Sequence, residues 1–212
     1  MTSIMIIPPH DIRPLVLCGF SVLEKHALLS ALQDLCPDSF TVVKRHNTAP
    51  SVGHDPFYYM SNEKFTNSVS DGDFATYTLS RECSSGILKQ TISAATSAGR
   101  IAVVPRADVR AIRQLASWEE LDARYVYIMP PHPYVAEARW TPGYVEPGIV
   151  QIWDELRDSL AELRRPPLSM SIRREQKAEL EDAMANPRFF DLVLPTNDLD
   201  AAFSSLVSLV WG

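Results

Sequence analysis

A glycine ends the first apolar run of this 212-residue chain, and a lysine follows six residues later: Leu15-Val16-Leu17-Cys18-Gly19, then Phe20-Ser21-Val22-Leu23-Glu24-Lys25-His26. Set between a strand and a helix, such a turn is suited to one chemistry. Its backbone N–H groups and the helix N-terminus face an anion, and the lysine reaches the outer phosphates. The full pattern of a phosphate loop is GxxxxGK followed by Ser or Thr. Gly19 and Lys25 meet it, with Ser21 inside the turn. Glu24 stands where the second glycine belongs, and His26 stands where a hydroxyl would hold magnesium. Lys25 therefore reads either as a phosphate contact or as a relic on an exposed first turn. His26 reads as a general base or ligand, although a lone histidine in a first turn is more often plain surface.

Further cations extend this candidate anion site. Arg106, Arg110 and Arg113 lie on or just before a helical run, where Arg110 and Arg113 share a face; Arg110 is the one grouped with Gly19, Ser21, Lys25 and His26. Lys44 and Arg45 end a strand and read as substrate contacts or as solvated surface. Other chemistries find less support. The histidines at 10, 46, 54 and 132 have no metal-ligand spacing, so no metal site is expected. Ser84 and Ser85 lack a nucleophile-elbow context. Cys18 reads as a packed apolar residue, and Cys83, beside Arg81, as the better reactive thiol. Trp140, Tyr144 and Trp153 interleave with prolines, as aromatic anchors of a partner groove would, or else simply cap the core.

These residues need elements to position them. Short apolar runs of strand length recur at Leu15–Cys18, Phe40–Val43, Phe57–Met60 (the weakest), Ile101–Val104, Tyr125–Met129 and Phe190–Leu194. Helical spacing falls between them: residues 25–35 stopped by Pro37, residues 86–98 with Gly99 as C-cap, and Val109–Leu115 with Asp108 as N-cap. Further helices are expected at 149–164, 171–185 and Leu199–Val210. Alternation of this kind implies a parallel sheet covered on both faces, an α/β fold. The segment Pro130–Pro147 holds five of the sixteen prolines and sets the 149–164 helix apart.

Composition narrows the class. With 46% hydrophobic and 22% charged residues the chain is ordinary globular protein. Three cysteines without CxxC spacing favour a reducing compartment. The net charge of −6, without a basic stripe, argues against nucleic-acid binding. The N-terminal stretch, broken by Pro8 and Pro9, is too short for a signal peptide or membrane span. A cytoplasmic protein with no membrane partner is expected.

Six segments together resemble the guanylate kinase family. Residues 13–32, RPLVLCGFSVLEKHALLSAL, resemble its opening strand, phosphate loop and first helix. FYYMSNEKF (57–65), SDGDFATY (70–77), ADVRAIRQL (107–115), YIMPPHPYVAEA (127–138) and the stretch 189–210 resemble later motifs in the right order. The resemblance implies a three-layer parallel sheet with helices on both faces over residues 13–212. It further implies a small monophosphate-binding subdomain at about 40–88 and a divergent lid at about 130–170. It implies phosphoryl transfer from ATP to GMP as the parent activity, a reaction resting on a few cationic and polar groups.

Those groups are largely missing. Where the family grips the GMP phosphate with two arginines and a tyrosine, this chain has Ala49, no second arginine, and Phe57. Thr76 replaces the guanine-reading acid. Asp108 survives, although an aspartate there also makes an ordinary helix N-cap. The lid arginines have no counterpart. The resemblance therefore implies a degenerate member, leaning away from enzyme, that acts as a binding module for a protein partner. The apolar C-terminal residues Leu206, Leu209, Val210 and Trp211 suggest a possible homodimer face. The alternative is a repurposed enzyme whose old cleft, with Lys25, Arg106 and Arg110, takes another phosphorylated or activated substrate. No cofactor is expected on the first reading; ATP with magnesium is the alternative.

Overall fold

In the computed structural model, which describes residues 7–19, 22–49, 57–107, 109–129 and 189–212, strands and helices alternate along the chain. The elements are β1 Leu15–Cys18, α1 Val22–Leu35, β2 Phe40–Val42, β3 His46–Asn47, β4 Tyr58–Tyr59, α2 Asn62–Ser70 and β5 Phe74–Thr78. They continue with β6 Ser85–Leu88, α3 Lys89–Ser97, β7 Ile101–Ala107, α4 Val109–Ala116, β8 Arg124–Met129, β9 Leu192–Pro195 and α5 Leu199–Trp211. Five strands form an all-parallel sheet in the order β2-β7-β1-β8-β9. Four others form a smaller mixed sheet in the order β4-β3-β6-β5.

Side chains on a strand alternate between faces, so β1 feeds two cores at once. Leu15 and Leu17 join Val126 and Ile128 under α1 and α5, packing on Leu28, Leu32, Phe203 and Leu206. Val16 and Cys18 join Tyr125 and Tyr127 on the other face, under α3 and α4, with Ile92, Ile112 and Leu115. Both faces being covered explains why these strands read as unbroken apolar runs. A third, small cluster holds α2 to the mixed sheet, where the Phe65 and Phe74 rings lie 4.5 Å apart.

Five of the six expected strands appear: β1 at its expected bounds, β2, β8 and β9 within two residues of them, and β7 three residues longer. The Phe57–Met60 run does not behave as a buried strand: only Tyr58 and Tyr59 are in β4, and both are exposed at the sheet edge. The expected helix 86–98 is divided, because Ile87 and Leu88 belong to β6 and the helix starts at Lys89. A short apolar run ahead of a helix cannot be told from its first turn by periodicity alone. Gly99 does close α3. At φ +71° it donates to Thr96 O while Arg100 N–H reaches Ala95 O, the paired bonds of a Schellman ending. The strands β3 and β5 carry too few apolar residues to read as strands. Asp108, both expected helices between 149 and 185, and the lid at 130–170 lie outside the described residues.

The chain's two ends meet at the foot of the sheet on a residue that periodicity places in no core. Arg124, 1% exposed, donates from Nη2 to the carbonyls of Arg13 (2.8 Å) and Asp11 (3.2 Å). Its Nη1 reaches those of Val210 (3.3 Å) and Leu209 (3.4 Å), the C-terminal end of α5. Burial, partly opposed by the Asp11 carboxylate, lowers its basicity. Trp211 Nε1 donates to Ile7 O at 2.8 Å, and its ring packs on Phe40. Leu206 and Val210 are fully buried. Leu206 and Val210 thus belong to the chain's own core, and Leu209 and Trp211 pack against it partly buried.

Candidate functional site

The turn after β1 is shaped by Gly19. Its φ is +107°, and a Cβ there would overlap the carbonyl oxygen of Ile128 on the neighbouring strand, so no side chain fits. Six residues on, Lys25 is 5% exposed and its ammonium donates to Gly19 O. Of the two readings of Lys25, the relic on an exposed first turn is corrected: Lys25 is folded into the turn. Glu24 is buried as well, at 2%. Ser21 lies outside the described residues.

A cleft of about 370 Å³ opens beside this turn. From α1 it takes Lys25, His26, Leu29, Ser30 and Gln33, positions one helical turn apart and so on one face. Val42, Val43, Lys44 and Arg45 come from the end of β2, and Phe57, Ile87 and Pro105 complete the wall. Each contributor is held by backbone pairing. Val43 N–H reaches Val103 O at 2.8 Å, and Tyr58 N–H reaches Arg45 O at 2.8 Å. Pro105 lacks the N–H that a ladder needs, and there the β1–β7 register slips from Val16↔Val104 to Cys18↔Ala107. One extra residue bulges in β7 at the cleft.

The structure thus gathers Lys25, His26, Lys44, Arg45 and Phe57 around one space. Gly19 joins them through its bond from Lys25. Lys44 sits 5.3 Å from the Tyr58 ring centroid, and Arg45 Nη2 donates to Ser85 Oγ at 3.2 Å. His26 is exposed at the rim. No acidic side chain is among the described residues that line the cleft. Nearby His46 is held below its ordinary pKa, first by burial and then by the charge of Lys64. Arg110 is not brought in; it is exposed on α4 and does not line the cleft. Asp108, Trp140, Tyr144 and Trp153 lie outside the described residues.

Thr76 has a different occupation. It is 3% exposed, and its hydroxyl donates to Gln114 Oε1 at 2.6 Å, while Tyr77 N–H reaches the same oxygen at 3.0 Å. The residue pins β5 to α4. Gly86 lets the paired strand approach, since a Cβ there would meet the Phe74 ring at 2.7 Å. The apolar lining at Leu29, Val42, Ile87 and Pro105 was missed from the sequence. Four separated segments supply it, and none carries a motif.

Two of the described side chains at the turn suit a magnesium nucleotide poorly. Glu24 adds a carboxylate where the resemblance puts the second glycine of a phosphate loop. Magnesium prefers oxygen ligands, whereas His26 offers nitrogen. Among the described residues no group of three His, Cys, Asp or Glu side chains could hold a metal ion. Nor, among them, is any helix long and apolar enough to cross a membrane.

Comparison with solved structures places the fold beside the guanylate kinase of Anaplasma phagocytophilum. That match has a TM-score of 0.54 and 12% identity, over 96% of this chain and 87% of that one. The SH3-kinase fragment of tight junction protein 3, in apo form, aligns with a TM-score of 0.49 and 15% identity, over 96% of this chain and 58% of that one. Residues 11–142, well over half of the chain, match the guanylate kinase family model, and the protein belongs to that family.

Proposed function

We propose that this protein is a guanylate kinase family member that no longer phosphorylates GMP and works as a binding module, with a protein as its partner. The observation that carries the reading is the use made of Thr76. At the position where the resemblance puts a guanine-reading acid, the side chain is buried and donates to Gln114. It has no carboxylate to accept a purine edge, and its hydroxyl proton is already engaged. Phe57, in place of a phosphate-gripping tyrosine, adds only apolar surface to the cleft. Exposed Tyr58 and Tyr59 on the edge strand β4 support the partner role, since tyrosines are enriched where proteins meet.

A coupled assay of ADP release from ATP, magnesium and GMP tests the loss of activity. Turnover no greater than the enzyme-free blank is expected. Turnover that rises with GMP and falls in Lys25→Met would overturn the reading. The alternative, a repurposed enzyme, draws support from the cations kept around the cleft. It predicts a magnesium-dependent rise in melting temperature with ATP, which Lys25→Met abolishes.

A further inference from the structure

The cleft pairs an apolar wall with a cationic rim, and that pairing points to a class of ligand. We propose that it binds a small amphipathic anion: an aryl or short branched alkyl body carrying a terminal phosphate or carboxylate. The proposal rests on the reading that GMP chemistry has left this cleft.

Size, lining and charge support it. At about 370 Å³ the cleft is at the small end of small-molecule sites, too small for a folded partner's surface and large enough for a bicyclic ring with its head group. Leu29, Val42, Ile87 and Phe57 offer no hydrogen bond to a base edge, and Ser30 and Gln33, both on α1, are the only uncharged polar side chains besides His26 among the described lining residues. A purine would leave its ring nitrogens and exocyclic groups unpaired against the apolar side chains, which costs affinity. A hydrocarbon body loses nothing there and gains from burial. Lys25, His26, Lys44 and Arg45 stand around the same space, and no acidic side chain is among the described residues lining it. The whole chain carries a net charge of −6, so this gathering of basic groups runs against its average. Low-dielectric walls focus such a field on whatever enters. Lys44, exposed at the mouth, is the cation best placed to meet an incoming head group.

Isothermal titration of the full chain with matched probes tests this. The probes are 1-naphthyl phosphate, 1-naphthoate, 1-naphthol, inorganic phosphate and GMP, at one ionic strength. At least one naphthyl anion is expected to bind ten times more tightly than naphthol, inorganic phosphate and GMP alike. Lys44→Glu should weaken that binding at least fivefold. Ser30→Trp, which fills the cleft from the half-buried side of α1, should abolish it; matching melting curves would show both variants folded. Four results would overturn the proposal: inorganic phosphate binding as tightly as the naphthyl anions, naphthol matching them, no probe binding at millimolar concentration, or affinity untouched by Lys44→Glu. GMP binding tighter than both anions overturns it too, and also counts against the loss of the purine site. The other failures leave the loss of kinase activity standing, because turnover is measured separately.

Discussion

Replacing Arg124 by methionine removes a guanidinium that holds both ends of the chain to the sheet while roughly keeping side-chain length. A hydrogen bond from a charged donor contributes about 1.5–3 kcal/mol. Counting only the two shorter bonds, to Arg13 O at 2.8 Å and Asp11 O at 3.2 Å, gives a loss of about 3 kcal/mol at the lower end of that range. The longer pair to Val210 O and Leu209 O neutralises the C-terminal end of α5, worth about 0.5 kcal/mol more. Against this stands the cost of burying the guanidinium, which methionine relieves; replacing buried charge with apolar atoms is often near neutral. Here, though, the hydrogen-bond partners are backbone carbonyls that stay behind as orphaned acceptors, and the Asp11 carboxylate at 3.7 Å loses a counter-charge. The net expectation is a destabilisation of about 2–4 kcal/mol.

Urea unfolding followed by tryptophan fluorescence measures it. With a slope of about 2 kcal/mol per molar, the midpoint should fall by about 1–2 M at unchanged slope. Arg124→Lys should retain part of the loss, because one ammonium cannot reach both the Asp11–Arg13 carbonyls and the Leu209–Val210 carbonyls. A methionine variant within about 0.5 kcal/mol of the parent would refute the clamp, since that is the scatter of an ordinary surface substitution.

Gly19→Ala and Gly99→Ala both place a Cβ at positive φ, but only Gly19 has a backbone carbonyl in the way. Denaturation should show about 1 kcal/mol lost at Gly99 and at least about 3 at Gly19; equal losses would dismiss the crowding against Ile128. Thr76→Val should cost about 1 kcal/mol and leave GMP binding unchanged, because the hydroxyl serves Gln114; altered GMP affinity in a titration would contradict this. The Asp11 carboxyl is lowered to about 2, chiefly by its hydrogen bond from Arg13. Its contribution is present above about pH 4 and lost as pH falls toward 2, so melting curves of Asp11→Asn and the parent should converge across that interval. His46 should titrate below 6.5 by NMR and move partway back in Lys64→Met, since burial comes first and the lysine charge second.

The parallel sheet was legible because its strands are buried on both faces. Leu15–Cys18 and Tyr125–Met129 carry no polar interruption, so their apolar runs stand out at nearly their true bounds. The smaller sheet was harder to read. His46-Asn47 is too short to show alternation, and Phe74–Thr78 mixes Phe and Ala with Thr and Tyr on a half-covered surface. Arg124 was invisible for a different reason. A buried cation is justified only by where distant carbonyls point, and these belong to residues about 110 positions before it and 85 after it.

The cleft divides along the same line. Its basic residues Lys25, His26, Lys44 and Arg45 could be named in advance because side-chain chemistry is a property of the residue, whereas Arg110, grouped with Lys25 in the sequence, does not line the cleft. Its apolar wall could not be named, because Leu29, Ile87 and Pro105 look like core in the sequence, and only the packing of α1, β6 and β7 brings them together as the wall of a cleft. The two halves also respond differently to substitution. Coulomb attraction falls off slowly, so a set of cationic side chains around a cleft keeps drawing anions after any one contact is lost. A hydrogen bond to a base edge fails with a single change such as an acid replaced by threonine. Selectivity for guanine therefore vanishes sooner than affinity for anions, and that order of loss is what the proposed reading of this cleft requires.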